Sequence, residues 1–463
     1  MASSYSLNQH RPLARLKRFS RGNIAAHLLG LAFLFQFVLE RAFTFESIPF
    51  TSLIQIPMRL IAIWLILDRV GRKGRFKIRT WDYIHLVFMA VFGIILVYAD
   101  LKMNRPTGLG NYVSWISNFF YAYTWGLLVR EAALRPGFSF NILTRWMLIT
   151  FTVLCVIALS QALNVAGARG LIDRFYHQRE AELHMEGPSE PWQARGASPH
   201  ANSLAILLLT GFGVVIARFS LKKFDWFDWT AGVLMVATIF ATYSRTGMVG
   251  LFAIAIAVVI TLVREKKIYA SMVSLFVLFS LTALFAGAVF AFNIKRYKIL
   301  VEGEGQVKNL AANQVGSWYL RGKTINKAIE KSKQYPLTGI EAASQVVNNV
   351  RVISRDPYSV EGMLLNIYVF AFLSYGIWGL LFIGGLYACL FAQLITVRHK
   401  MSRALFVMGV MLAVTGISEN VLFTTQVMTI INILMAAQLH LAPRRVIARR
   451  RAFAEPVAPT VTA

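Results

Sequence analysis

The chain has 463 residues, 56% of them hydrophobic and only 15% charged, with a mean hydropathy of +0.55 and a formal net charge of +26. A soluble domain carries about a quarter charged residues, whereas this chain has several uncharged apolar runs long enough to cross a bilayer. The composition excludes a soluble enzyme and a disordered chain. The runs do not alternate, which excludes a β-barrel, and an all-α polytopic membrane protein is what remains.

Residues 1–22 form a basic N-terminus. Apolar spans are predicted at 23–43, 48–67, 81–99, 112–129, 146–165, 201–217, 228–243, 246–263, 270–293, 377–397, 404–421 and 424–441, giving twelve transmembrane helices. No small-residue cleavage site follows the first run, so it reads as a retained helix rather than a signal peptide. Seven short basic segments alternate with the spans and hold 28 of the 48 lysines and arginines. They begin at Arg11, Arg69, Arg130, Arg218, Arg264, Arg398 and Arg444. The positive-inside rule places all seven in the cytoplasm, together with both termini.

The expected organisation is five helices over 23–165, a long outer loop over 166–199, and four helices over 200–293. A second long outer loop follows over 294–376, then three helices over 377–441 and a basic tail over 442–463. The stretch 359–375 is apolar enough to be a span. Counting it would put Arg398 to Arg403 and the tail outside, so a helix is expected there at the outer face, lying in the interface or folding back into protein. Cys155 and Cys389 fall inside apolar runs, where packing is the default role.

The two outer loops contain 15 basic residues. Two cationic loops over a membrane core suit an anionic ligand that arrives through the bilayer, and the excess charge needs no nucleic-acid partner. There is no Cys-x-x-Cys, His-Glu-x-x-His, Walker loop or Gly-x-Gly-x-x-Gly, so neither a metal nor a bound nucleotide cofactor is expected. Few acids fall at mid-span depth, which argues against a proton-coupled transporter.

Four stretches where outer loops meet spans carry the remaining information. They are Arg195-Gly196-Ala197-Ser198-Pro199-His200-Ala201-Asn202, then Tyr243-Ser244-Arg245-Thr246-Gly247, then Gly316-Ser317-Trp318-Tyr319-Leu320-Arg321 leading to Tyr335-Pro336-Leu337-Thr338-Gly339-Ile340. The last is Glu361 with Asn366, followed by Gly376-Ile377-Trp378-Gly379. In this order and spacing they resemble the O-antigen ligase and Wzy-type polymerase superfamily of bacterial polysaccharide assembly, over roughly residues 140–440. The resemblance implies a metal-independent glycosyltransferase of GT-C-like helical fold in the bacterial inner membrane. It implies periplasmic outer loops and a glycan moved from undecaprenyl pyrophosphate to a second lipid-linked acceptor. A chain-length regulator is a further candidate partner.

A diphosphate leaving group needs fixed positive charge where its own charge develops, and the arginine fork suits phosphate oxygens. By position, Arg195 and Arg321 resemble the family's two loop arginines and are assigned to the pyrophosphate. Arg245 sits in a very short turn between apolar helices and reads either as a snorkelling anchor or as a substrate contact. His200, Tyr319, Lys323, Arg351 and Arg355 are candidate substrate-binding residues, with capping, interfacial or surface roles as the alternatives. Trp192, Trp318 and Tyr358 read as sugar-stacking or interfacial aromatics.

Ligases of this superfamily are expected to carry a histidine just before the Asn that precedes Gly-x-x-Gly. Here that position is Leu365, and no histidine occurs in 294–398. Glu361 lies one helical turn earlier, on the same face. It is the candidate general base for deprotonating the acceptor hydroxyl in an inverting displacement, with Asp356 as runner-up. The missing histidine favours a polysaccharide polymerase over an O-antigen ligase acting on lipid A-core. A lipid-linked glycan transporter is the rival from another class.

Overall fold

The structure is a computed structural model that describes residues 21–39, 60, 80–103, 109–135, 137–176, 194–198, 201–221, 225–264, 330, 333, 336–339, 366–396, 401–417 and 425–441. Within these residues it is all-helical, with no strand. The helices are α1 (Arg21–Leu39), α2 (Thr80–Met103), α3 (Leu109–Ala133), α4 (Phe140–Leu163), α5 (Ala168–Phe175) and α6 (Ala201–Ser220). They continue with α7 (Trp226–Ala241), α8 (Arg245–Arg264), α9 (Ile367–Thr396), α10 (Met401–Thr415) and α11 (Thr425–Leu441). Every predicted span except those at 48–67 and 270–293 overlaps one of these helices; those two, apart from Leu60, lie outside the described residues. Five segments of the described helices are long and apolar enough to cross a membrane: Gly22–Leu39, Phe140–Leu163, Ala201–Ser220, Thr246–Arg264 and Tyr375–Gln393.

The centre of the bundle is α6, which packs on α4, α7, α8, α10 and α11. Its Leu204, Leu208, Leu209 and Val214 are fully buried, as an apolar helix enclosed on all sides should be. Lipid chains are as apolar as leucine, so the helices associate by close packing at small residues and by polar contacts. Gly126 of α3 backs onto Asn432 of α11, and Gly250 of α8 lies against Leu209 of α6 and Thr415 of α10. Buried aromatic rings add to this packing. Phe88 of α2 stacks on Phe382 of α9 with centroids 4.0 Å apart, and Phe33 of α1 meets Trp125 of α3 edge-on at 5.9 Å.

Polar contacts sort the helix ends into two groups. At the end that bears the short basic segments, Arg130 near the end of α3 pairs with Asp82 at the start of α2 at 2.7 Å, and Tyr123 donates to the same carboxylate. The last turn of α6 meets the starts of α4 and α7 in a buried ionic cluster. Arg218, only 2% exposed, donates from Nε to Asp228 Oδ1 at 2.7 Å and from Nη1 to Asn141 Oδ1 at 2.7 Å. Arg145 donates to both oxygens of Asp225 at 2.8 Å and lies over the Phe227 ring. Asp225 and Asp228 also form a reciprocal capping box on α7, which occupies otherwise unpaired N–H groups at the helix start. Arg130, Arg145 and Arg218, counted in the sequence as orientation charges, are therefore paired as well and tie helices together.

Burial works to raise the Asp225 carboxyl, but the Arg145 hydrogen bonds, the Asp228 N–H and the charge of Arg218 outweigh it and hold the group below its ordinary value. A carboxyl lowered in this way contributes stability above its unfolded pKa, and loses it as pH falls through the lowered value. Asp225 therefore stays ionised through neutral pH. Replacing Arg218 by alanine strips buried Asp228 of its nearest cation and should cost about 3 kcal/mol. Arg145→Ala, at a site one third exposed, should cost less than about 1 kcal/mol. Thermal unfolding of the two variants in detergent checks that order.

Candidate functional site

At the opposite end of the bundle all four sequence stretches are described, the second along its whole backbone and the others in part, and each is held by a specific polar contact. The first begins where Ala194 donates its N–H to the carbonyl of Ala241 at 2.9 Å, capping the last turn of α7. Arg195 to Ser198 then form a turn closed by the Ser198 N–H on the Arg195 carbonyl at 3.0 Å. Gly196 has φ +54°, and a Cβ on it would lie 3.0 Å from Ala158 of α4. Both facts require glycine there. The Arg195 residue is buried, 9% exposed.

Beneath this turn sits Gln161, in the last turn of α4 and fully buried. Its carbonyl oxygen accepts the N–H groups of Arg195 and Gly196 at 3.0 and 2.8 Å. Its amide donates to Asp173 of α5. The chain passes from α4 to α5 through Asn164, Ala166 and Gly167, all with positive φ. Arg169 of α5 donates its guanidinium to the Gln161 and Ala162 carbonyls, so the end of α4 is capped by the helix that follows it. Tyr176 closes α5, and burial pushes its phenol up to about 12, so it stays protonated at physiological pH. Sequence reasoning missed Gln161. Its signal was a carboxamide inside an otherwise apolar span, which in hydrocarbon demands partners.

The second stretch is a link of three residues. Ser244 accepts the Gly247 N–H on its hydroxyl oxygen at 3.0 Å and so caps α8. Thr242 donates its hydroxyl to the Ile239 carbonyl and accepts the Ser244 N–H. Tyr243 between them has φ +50°. Arg245 is the first residue of α8, and its side chain lies outside the description.

The third and fourth stretches meet each other. Asn366 caps α9: its side-chain oxygen accepts the N–H groups of Tyr368 and Val369 at 3.0 and 3.1 Å, and its amide donates to the Ile417 carbonyl at 2.9 Å. Ile367 N–H donates to the Gly416 carbonyl, and the Tyr368 hydroxyl to that of Ala413. These contacts fix the start of α9 to the end of α10. The helix then breaks at Gly376, with φ 62° and ψ −150°, a conformation essentially confined to glycine. The freed N–H of Ile377 donates to the Pro336 carbonyl at 2.9 Å. A Cβ on Gly376 would fall 2.6 Å from the Leu337 carbonyl carbon, and one on Gly379 would fall 2.3 Å from the Ala371 carbonyl oxygen. The Gly-x-x-Gly motif is thus explained twice over. Gly376 bends the chain and seats the Pro336–Gly339 loop, and Gly379 lets the two arms of α9 fold closely together.

A continuous band joins the pieces. The Arg195 turn rests on the ends of α4 and α7, and only three residues separate α7 from α8. Gly250, about 7.5 Å along α8 from Arg245, touches Thr415, and the next two residues hold Asn366 and Ile367. Of the predicted site residues, the structure places the Arg195 turn and the Arg245 backbone in this band. Glu361, Arg321, His200, Tyr319, Lys323, Arg351 and Arg355 lie outside the described residues, as do Leu365, Asp356, Trp192, Trp318 and Tyr358. Among the described residues, no three His, Cys, Asp or Glu side chains are grouped to share a metal ion.

Gly376→Ala should therefore be the most damaging small substitution in the band. It meets backbone rather than a movable side chain, and its φ/ψ alone costs about 1–3 kcal/mol. A lowered melting temperature in detergent, larger than that of Gly384→Ala, where a Cβ meets nothing within 4 Å, is the expected measurement.

A search of curated protein sequences finds no match to the chain. Residues 230–384, about a third of the chain, match the O-antigen ligase family Wzy_C. The matched region contains the Ser244 turn, the Pro336–Gly339 loop, Asn366 and the Gly376 break, and excludes the Arg195 turn. The resemblance carried by the motifs is thus supported, and this segment is similar to the O-antigen ligase and Wzy-type superfamily.

Proposed function

We propose that the chain is a bacterial inner-membrane polysaccharide polymerase. It moves a growing glycan from undecaprenyl pyrophosphate to the non-reducing end of a lipid-linked repeat unit at the periplasmic face. The observation that carries this reading is the single band at the end away from the basic segments, where the Arg195 turn, the start of α8 and the Gly376 break converge. Positive-inside placement of the basic segments puts that band on the periplasmic side. The family similarity supplies the reaction class. The remaining architecture is the twelve-helix, GT-C-like arrangement, with loops at 166–199 and 294–376 and both termini cytoplasmic.

In the proposed reaction the acceptor hydroxyl oxygen attacks the anomeric carbon of the donor glycan, and Glu361 takes the hydroxyl proton. The bond from that carbon to the diphosphate oxygen breaks with inversion. The undecaprenyl diphosphate leaves with the electron pair, and Arg195 and Arg321 meet the charge that develops on it. Guanidinium groups do here what a divalent cation does in many phosphate sites, so the proposed step needs no metal. Arg245, Lys323, Arg351 and Arg355 extend the cationic rim, and His200 and Tyr319 contact the glycan. An O-antigen ligase using lipid A-core is the second reading, favoured by the description of the matched family. The absence of histidine at Leu365 speaks for the polymerase.

Purified protein in lipid, supplied with one undecaprenyl pyrophosphate-linked repeat unit and no other acceptor, should produce a ladder of longer glycans. Product only after lipid A-core is added would establish the ligase. Movement of the lipid-linked glycan without new glycosidic bonds would establish a transporter. Arg195→Ala and Arg321→Ala should each lower turnover about 10²–10³-fold, and Glu361→Gln about 10²–10⁴-fold with donor binding retained. Activity should persist in excess EDTA, and chelator-sensitive turnover would overturn the metal-independent step.

A further inference from the structure

We infer that Gln161 is a positioning residue for the anion site, coupling the Arg195 turn to the short helix α5; this rests on the reading of Arg195 as a diphosphate ligand. The side chain is fully buried near the end of a 24-residue apolar helix. An amide buried without hydrogen bonds is costly, and Gln161 uses both ends of its amide on segments outside α4. One oxygen holds two successive N–H groups, those of Arg195 and Gly196. Both peptide planes are thereby aimed at one point, which sets the direction in which Arg195 leaves the backbone.

The other end of the amide reaches Asp173 on α5. That helix is strongly amphipathic, and its Leu171 is 71% exposed. Leu163 and Val165, just before it, are also exposed, whereas Arg169 turns inward to cap α4. Exposed leucine and valine beside inward-directed polar groups are the pattern of a helix seated in a membrane interface. Gln161 therefore stands between an element seated at the lipid surface and the turn that bears the arginine. Through it, the depth of α5 sets the height of Arg195 relative to the phosphate level of a lipid-linked donor.

The test is binding of undecaprenyl diphosphate, carrying no sugar, to the full chain in nanodiscs. Gln161→Ala should weaken binding about tenfold with the protein still inserted. The same substitution in an Arg195→Ala background should have no further effect, because Gln161 acts through the arginine. Asp173→Asn keeps an acceptor for the amide and should bind like the parent, while Asp173→Leu should weaken binding several-fold. If Gln161→Ala weakens binding equally in both backgrounds, its role is general stability and the inference is overturned. Wild-type binding by Gln161→Ala together with impaired Arg195→Ala overturns it too, and leaves the arginine reading intact. Wild-type binding by Arg195→Ala removes the diphosphate assignment and this inference with it. Should Gln161→Ala fail to insert, Asp173→Leu carries the test alone, and binding unchanged from the parent would overturn the coupling.

Discussion

In hydrocarbon there is no water to satisfy a backbone amide, so every departure from a continuous helix must find its partner in protein. The described part of this chain meets that constraint at several helix ends and at the break in α9. The break at Gly376 frees one N–H, and the Pro336 carbonyl takes it. The end of α7 leaves carbonyls unpaired, and Ala194 donates to one of them. The end of α4 is covered by the Arg169 guanidinium, and the start of α9 by the Asn366 side chain. Except for Arg169, each cap comes from a segment that sequence analysis had marked as informative, or from its neighbour. The need to satisfy helix ends has thus drawn those segments into one band.

The two ends of the bundle use polar groups differently. At the basic end, full charges meet full charges: Arg130 with Asp82, and Arg145 and Arg218 with Asp225 and Asp228. These pairs lock α2 to α3, and α4 to α6 and α7. At the other end the contacts of the described residues are mostly neutral: a carboxamide, hydroxyls, and main-chain carbonyls and amides. Among the described contacts of that end, neutral dipoles hold the turns that would present cationic side chains to a bound anion, and Asp173 is the carboxylate that takes part. That division suits a site whose ligand is itself negatively charged.

Hydropathy made the helices legible, because each uncharged run of about twenty residues has few alternatives to spanning lipid. The motif order made the candidate site legible as a set of stretches, and the family similarity covers three of the four. What could not be read was partnership. Gln161 finds its acceptor duty 34 residues away, at Arg195, and nothing in local periodicity announces that distance. Arg145 and Arg218 looked like orientation charges because Asp225 and Asp228 belong to the next helix in sequence but to the same cluster in space. Gly376 was visible as a motif letter, and its meaning, a bend that receives another loop, needed the fold.

The lengths of α7 and α10 have a consequence for the depth of the band. With 16 and 15 residues they rise about 24 and 22 Å, against a hydrocarbon thickness of about 30 Å. With the ionic cluster at headgroup level, the far end of α7 would stop several ångströms short of the opposite surface of such a bilayer. The chains of neighbouring lipids must shorten or splay to meet it. A bilayer of that thickness would be thinned beside the Arg195 turn, which rests on that end of α7. Under the proposed function, a lipid-linked donor sliding in from the side would meet that thinned margin, its charged head lowered toward the protein while still in contact with water.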